Sequence, residues 1–180
     1  MMSYSGWKIN EQDRAALLAA FPPRYPDVMA HHVTLRRGDK SVPDFARFAV
    51  VGHVDDGLGC EALIVARDGM TENGSRTFHV TWSIDREAGR KPVHSNDVIA
   101  GGWEAVEARS FEATPFRVDH DRVEHFHTDE SAARSRCRAE GMDPDFVGEK
   151  GYENWRMFTD AARAQTRAFL RATEEMIRDR

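Results

Sequence analysis

Two apolar runs, residues 45–54 and 60–66, are separated only by Asp55-Asp56-Gly57-Leu58-Gly59. A gap that short and that rich in Asp and Gly closes a turn, so the two runs predict an antiparallel hairpin. Residues 28–35 and 77–84 supply further extended segments rich in β-branched residues. Residues 104–123 predict one more strand or hairpin around Phe111 and Phe116 to Val118. Helices frame this set. Residues 11–21 place Ala15, Leu17, Leu18 and Phe21 at helical spacing until Pro22-Pro23 ends the run. Ser95-Asn96-Asp97 would cap a short helix through Ala100. The resulting class is α+β, built on an antiparallel sheet.

Composition changes after Val123. Residues 129–141 predict a short polar helix. Residues 152–180 predict a long one, with an apolar stripe at Trp155, Phe158, Ala162, Phe169, Leu170, Thr173 and Met176. The expected organisation is a core over 1–123 and a helical C-terminal extension over 124–180. That extension would pack on the core or on a partner, and its stripe would suit a homodimer.

One short pattern occurs twice in the extended segments, as His32-Val33-Thr34-Leu35 and His79-Val80-Thr81-Trp82. Residues i and i+2 of a strand point to one face. His32 therefore shares a face with Thr34, and His79 with Thr81, while the apolar partners face the other way. Were the two strands neighbours, four polar groups would converge on one groove. Two histidines in opposite protonation states can act as general base and general acid near neutral pH. Two threonine hydroxyls can hydrogen-bond the non-bridging oxygens of a phosphodiester, where charge gathers in the transition state. No metal or other cofactor is required by such chemistry.

The paired His-x-Thr-apolar signature resembles that of the two-histidine (2H) phosphoesterase superfamily. The most similar branch is the compact "Swiss Army knife" RNA-repair-like one, together with the cyclic phosphodiesterase domain of tRNA ligases. The resemblance runs over residues 28–103. It takes in both motifs, Val51-Gly52-His53-Val54, Ala62-Leu63-Ile64-Val65 and Lys91-Pro92-Val93-His94-Ser95-Asn96. It implies a bilobal antiparallel fold with pseudo-two-fold symmetry. It also implies a hydrolase of cyclic phosphates in which His32 and His79 are the acid–base pair and Thr34 and Thr81 bind phosphate. The separation of the motifs, shorter than in larger bacterial members, suggests one trimmed lobe.

Arg36 and Lys91 follow the two motifs and are the expected substrate contacts. His31 should point away from His32 by strand alternation. Asp119-His120-Asp121 and His125-Phe126-His127 are metal-capable types without a third ligand set by spacing. Cys60 reads as an inert apolar residue and Cys137 as a residue of a polar helix.

Lys and Arg number 25 against 30 Asp and Glu, a formal charge of −5, which argues against a protein that wraps duplex DNA. With 41% hydrophobic and 31% charged residues the chain is not a disordered one. Two cysteines and an N-terminal stretch without an apolar signal-peptide core lead to the expectation of a cytoplasmic protein with reduced thiols, away from membranes. The expected activity is metal-independent opening of a 2′,3′-cyclic phosphate or phosphodiester of an RNA end or nucleotide. The alternatives are a non-catalytic nucleotide or RNA-end binding module and a cyclic-dinucleotide hydrolase.

Overall fold

The computed structural model describes residues 3–146, 154, 158 and 159. The chain divides into two compact units, 1–125 and 126–180. The first contains β1 (Tyr4–Ile9), α1 (Glu11–Ala20), β2 (Asp27–Val28), β3 (His32–Arg37), β4 (Phe48–Asp55) and β5 (Cys60–Arg67). It continues with β6 (Glu72–Asn73), β7 (Arg76–Thr77), β8 (His79–Ile84), a 3-10 turn (Pro92–His94) and α2 (Ser95–Ala100). It ends with β9 (Glu104–Phe111), β10 (Ala113–Val118) and β11 (Glu124–His125). The class is α+β, with antiparallel pairing in both main sheets and few helices. Among the described residues no helix is long and apolar enough to cross a membrane.

One sheet has four strands in the order β11-β10-β1-β3, and the other has five in the order β2-β8-β5-β4-β9. A single apolar core joins them. Trp7, Ile9 and Val33 come from the first sheet; Phe48, Val50, Leu63, Val65, Val80 and Trp82 come from the second; Leu17 comes from α1. The indole N–H groups of this core are satisfied, Trp7 donating to Asp44 O and Trp82 to Phe21 O, both at 2.8 Å. Ala62, Ile64 and Ile99 form a smaller cluster on the opposite face of the second sheet, where α2 packs.

The expected single strand over 28–35 is instead two strands in two sheets. Met29 N–H and Ala30 N–H donate to Trp82 O and Thr81 O beside β8, whereas His31 O accepts from Ile9 N–H beside β1. The switch falls at Ala30, whose φ of 38° is left-handed. A non-glycine residue held there costs on the order of 1 kcal/mol. Full burial and a 2.8 Å hydrogen bond from Arg14 Nε to Ala30 O hold it. The approach to this switch is anchored by Glu61, which is buried and accepts from Arg24 N–H and Ser83 Oγ while its second oxygen lies 2.9 Å from His53 Nε2.

β1 was not expected from the sequence, yet it is central in its sheet. Gly6 permits it: a Cβ there would lie 2.1 Å from Val33 O. The register also slips between Ser5 and Gly6, which pair with Arg36 and Thr34, leaving Leu35 as an extra, bulged residue on β3.

The second unit contains α3 (Asp129–Ala139), capped by Thr128, whose hydroxyl accepts from Ser131 N–H. The long helix expected over 152–180, and the dimer contact it would make, lie outside the described residues apart from 154, 158 and 159.

Gly6→Ala should lower stability by about 2 kcal/mol, because overpacking against backbone has no soft side chain to yield. Chemical denaturation measures the loss. A variant as stable as wild type would show that β1 and β3 do not approach as described.

Candidate functional site

β3 is the edge strand of one sheet, and the part of β8 beyond its short pairing with β2 lies beside it. Val33 and Val80 point into the shared core from the two strands. By alternation, His32 and Thr34 and likewise His79 and Thr81 point to the other side, where all four line one groove of about 710 Å³. The structure therefore brings the four motif residues together, although they sit in different sheets.

Each histidine is held differently. His79 Nδ1 lies 2.8 Å from Thr77 O, and a carbonyl only accepts, so Nδ1 carries a proton. Its Nε2 lies 3.0 Å from Ser95 Oγ. Ser95 is fully buried, and its hydroxyl is also 3.0 Å from Thr81 Oγ1 and 2.8 Å from Pro92 O. His32 stacks among rings, 5.4 Å from Tyr4 and 5.7 Å edge-on to Phe116 between centroids. Its Nδ1 meets His31 Nδ1 at 3.0 Å, so one of the two donates and the other accepts.

Burial moves all three imidazoles toward neutrality. It pushes His32 down to about 4, helped by the positive charge that His31, His79 and Lys8 can carry. Burial also lowers His31, with Lys8 adding to it. His79 is lowered by burial and by Arg76, against the opposing pull of its bond to Thr77 O.

The expected cationic contacts are replaced by others. Arg36 is exposed and pairs with Asp39 at 3.1 Å, and Asp39 also accepts from Ser5 Oγ at 2.7 Å. The bulge at Leu35 turns Arg37 rather than Arg36 to the groove. Lys91 is exposed and outside the lining; its backbone pairs with His94, the N–H donating to His94 Nδ1 at 3.3 Å and the carbonyl accepting from His94 N–H at 3.0 Å. Arg76 on β7 and Arg122 after β10 join Arg37 in the lining. The β6–β7 hairpin that carries Arg76 is tied to β3 through Asn73 Nδ2, which donates to Leu35 O at 2.6 Å. The two lining carboxylates have partners, Asp119 with His125 at 2.8 Å and Glu124 with Lys8 at 3.2 Å. Arg37 and Arg76 have no carboxylate partner among the described residues. The groove is thus locally cationic in a chain of negative net charge.

Two expectations fail on local geometry. His31 does not point away from His32, because it precedes β3 and follows the left-handed Ala30, so alternation does not reach it. Ser95 does not cap α2. His94 occupies the cap position, and Ser95, one residue inside, bonds back to Pro92 O. His125 bonds Asp119 and His127 bonds Ser131. Among the described residues no group of three His, Cys, Asp or Glu side chains is arranged to hold a metal ion. Cys60 is buried, and burial pushes its thiol up to about 11, which leaves it a poor nucleophile.

Comparison with protein-family models finds none that matches this chain. The curated proteins and the solved structures likewise contain no match to it.

The depressed His32 has a consequence for stability. Its ordinary value is 6.5 and its folded value about 4, so between them the unfolded chain binds more protons. Stability should fall as pH drops from 6.5 to about 4, by on the order of 3 kcal/mol from this residue. Denaturation midpoints across that window should flatten in His32→Asn; an equally steep fall in the variant would refute the burial of a neutral imidazole.

Proposed function

We propose that the chain is a metal-independent phosphoesterase of the two-histidine type, which opens a cyclic phosphate or phosphodiester of an RNA end or nucleotide. The observation that carries this is the convergence of His32, Thr34, His79 and Thr81 on one groove from two different sheets. Nothing in core packing asks for that. The apolar partners Val33, Val80 and Trp82 already fill the core, and the four polar residues face the other way. On this reading the two sheets are the two lobes of a 2H phosphoesterase-like core.

The roles follow from the surroundings. His32, neutral over the whole physiological range, is the general base that takes a proton from the attacking water. His79, with Nδ1 fixed as a donor by Thr77 O, presents Nε2 as the acid for the leaving oxygen. Thr34 and Thr81 hydroxyls, with Arg37 and Arg76, bind the non-bridging oxygens and offset the charge that builds on them. Tyr4 and Val93 in the same lining offer flat and apolar surface for a base.

The test is turnover in EDTA of nucleoside 2′,3′-cyclic monophosphates, an RNA with a 2′,3′-cyclic end, and a cyclic dinucleotide. His32→Ala and His79→Ala should each lose roughly 10²–10⁴ in kcat, with the double variant little worse than either. Arg76→Ala should act mainly on KM. Full activity in the double histidine variant would overturn the assignment. Tight binding of all three ligands without product would make the groove a binding module instead.

A further inference from the structure

The sequence reads Ser95 as a helix cap, and Ser95 lines no part of the groove. It is nonetheless the residue that both second-motif side chains share. An sp3 hydroxyl offers one proton and two lone pairs, hence three hydrogen bonds. Ser95 Oγ has three polar neighbours, Pro92 O at 2.8 Å and His79 Nε2 and Thr81 Oγ1 at 3.0 Å each. Pro92 O can only accept, and it is the nearest of the three. Without substrate, Ser95 donates there and its lone pairs accept from His79 Nε2–H and from the Thr81 hydroxyl; a bound phosphate oxygen takes over the hydrogen bond from Thr81. Thr77 O already requires a proton on His79 Nδ1. Every partner in the cluster is then satisfied when both ring nitrogens carry protons, that is, when His79 is an imidazolium.

We propose that Ser95 is a positioning residue that accepts from His79 Nε2–H and so favours the charged form of His79 at a buried site, making this side of the groove the acid side. The inference rests on the phosphoesterase reading and adds a residue to it. In the protonation step the His79 Nε2–H bond breaks and the leaving oxygen gains that proton, becoming an alcohol. His79 ends neutral with Nδ1 still protonated. The Ser95 hydroxyl then swings its own proton from Pro92 O to the vacated Nε2, while the Thr81 hydroxyl keeps donating to the phosphate oxygen. Ser95 thus meets His79 in both charge states, as acceptor from the charged ring and as donor to the neutral one. The other groups that bear on His79 are Arg76 from β7 and His32 from β3, which both oppose a positive charge when charged themselves. That opposition is why a dedicated acceptor is needed. A hydrogen bond to a charged donor is roughly twice as strong as a neutral one, so Ser95 favours the imidazolium.

The experiment is 15N NMR titration of the imidazoles in wild type and Ser95→Ala, with His53, outside the groove, as the control for folding. Wild-type His79 should keep its Nδ1 proton through the whole titration. Ser95→Ala should drop the His79 pKa by about one unit. The high-pH limb of kcat/KM, which reports loss of the acid, should move down by the same amount, while KM stays within about twofold. If Ser95→Ala does not fold, Ser95→Cys, with a weak donor and acceptor of similar size, should give the same direction of shift. An unchanged His79 titration, or a wild-type His79 neutral form protonated on Nε2, would overturn the proposal. A shifted titration in a protein that turns over none of the substrates would refute the phosphoesterase reading and leave Ser95 as the residue that charges His79 in a binding groove.

Discussion

The passage of the chain from one sheet to the other at Ala30 is the constraint on which the groove depends. Residues 27–30 run beside β8, and residues 31–37 run beside β1. A strand that stayed in one sheet would have left His32 far along the same edge or on a different face. The switch instead lays β3 against the free part of β8, so two identical His-x-Thr alternations meet across a gap between sheets. Two devices maintain it. Arg14 from α1 satisfies the carbonyl at the strained residue, and buried Glu61 ties the preceding link to the five-stranded sheet through Arg24 and Ser83. Neither Arg14 nor Glu61 lines the groove, so holding the switch costs the groove no polar side chain.

Much of this was legible in the sequence, and what was not has identifiable physics. The hairpin of β4 and β5 followed from its turn residues and apolar runs, α1 from periodicity and α3 from its polar composition, whereas α2 was expected from a cap that Ser95 does not make. The common face of His32 with Thr34 and of His79 with Thr81 followed from strand alternation alone. β1 was missed because Tyr-Ser-Gly-Trp-Lys-Ile holds a glycine and little β-branching. It is a strand because β3 and β10 pair with it on both sides, a tertiary cause that local propensity does not carry. The switch at Ala30 was missed because neither Gly nor Pro marks it. The exchange of Arg36 for Arg37 came from a one-residue bulge at Leu35. A bulge turns every later side chain to the other face. Ser95 offered the right kind of signal and the wrong meaning: a Ser before a short helix is ordinarily a cap, and only the fold brings it to residues sixteen and fourteen positions earlier.

The two histidines are alike in sequence and unlike in surroundings, and acid–base chemistry needs that difference. His32 is walled by Tyr4, Phe116 and His31, none of which carries a negative charge that would favour an imidazolium. His79 has acceptors at both nitrogens. Burial lowers both histidines, and on the phosphoesterase reading the carbonyl at His79 Nδ1 and the hydroxyl at its Nε2 are what set the acid apart from the base.

The charge distribution points to the same ligand class from a separate direction. The chain is acidic overall, so a basic groove is not a by-product of composition. Three arginines reach it from separate places, the end of β3, the β6–β7 hairpin and the loop after β10. Its own carboxylates, Asp119 and Glu124, are turned to His125 and Lys8. Arg37 and Arg76, which have no carboxylate partner among the described residues, concentrate the field at this concave site with low-dielectric walls on whatever enters. An anion with several oxygens satisfies them bidentately, and phosphate fits that demand while also offering oxygens to the two threonines. The formal charge of −5 on the chain works against binding long polyanions. On the phosphoesterase reading, a locally cationic groove in a chain of negative net charge suits an end or a small nucleotide better than the side of a duplex.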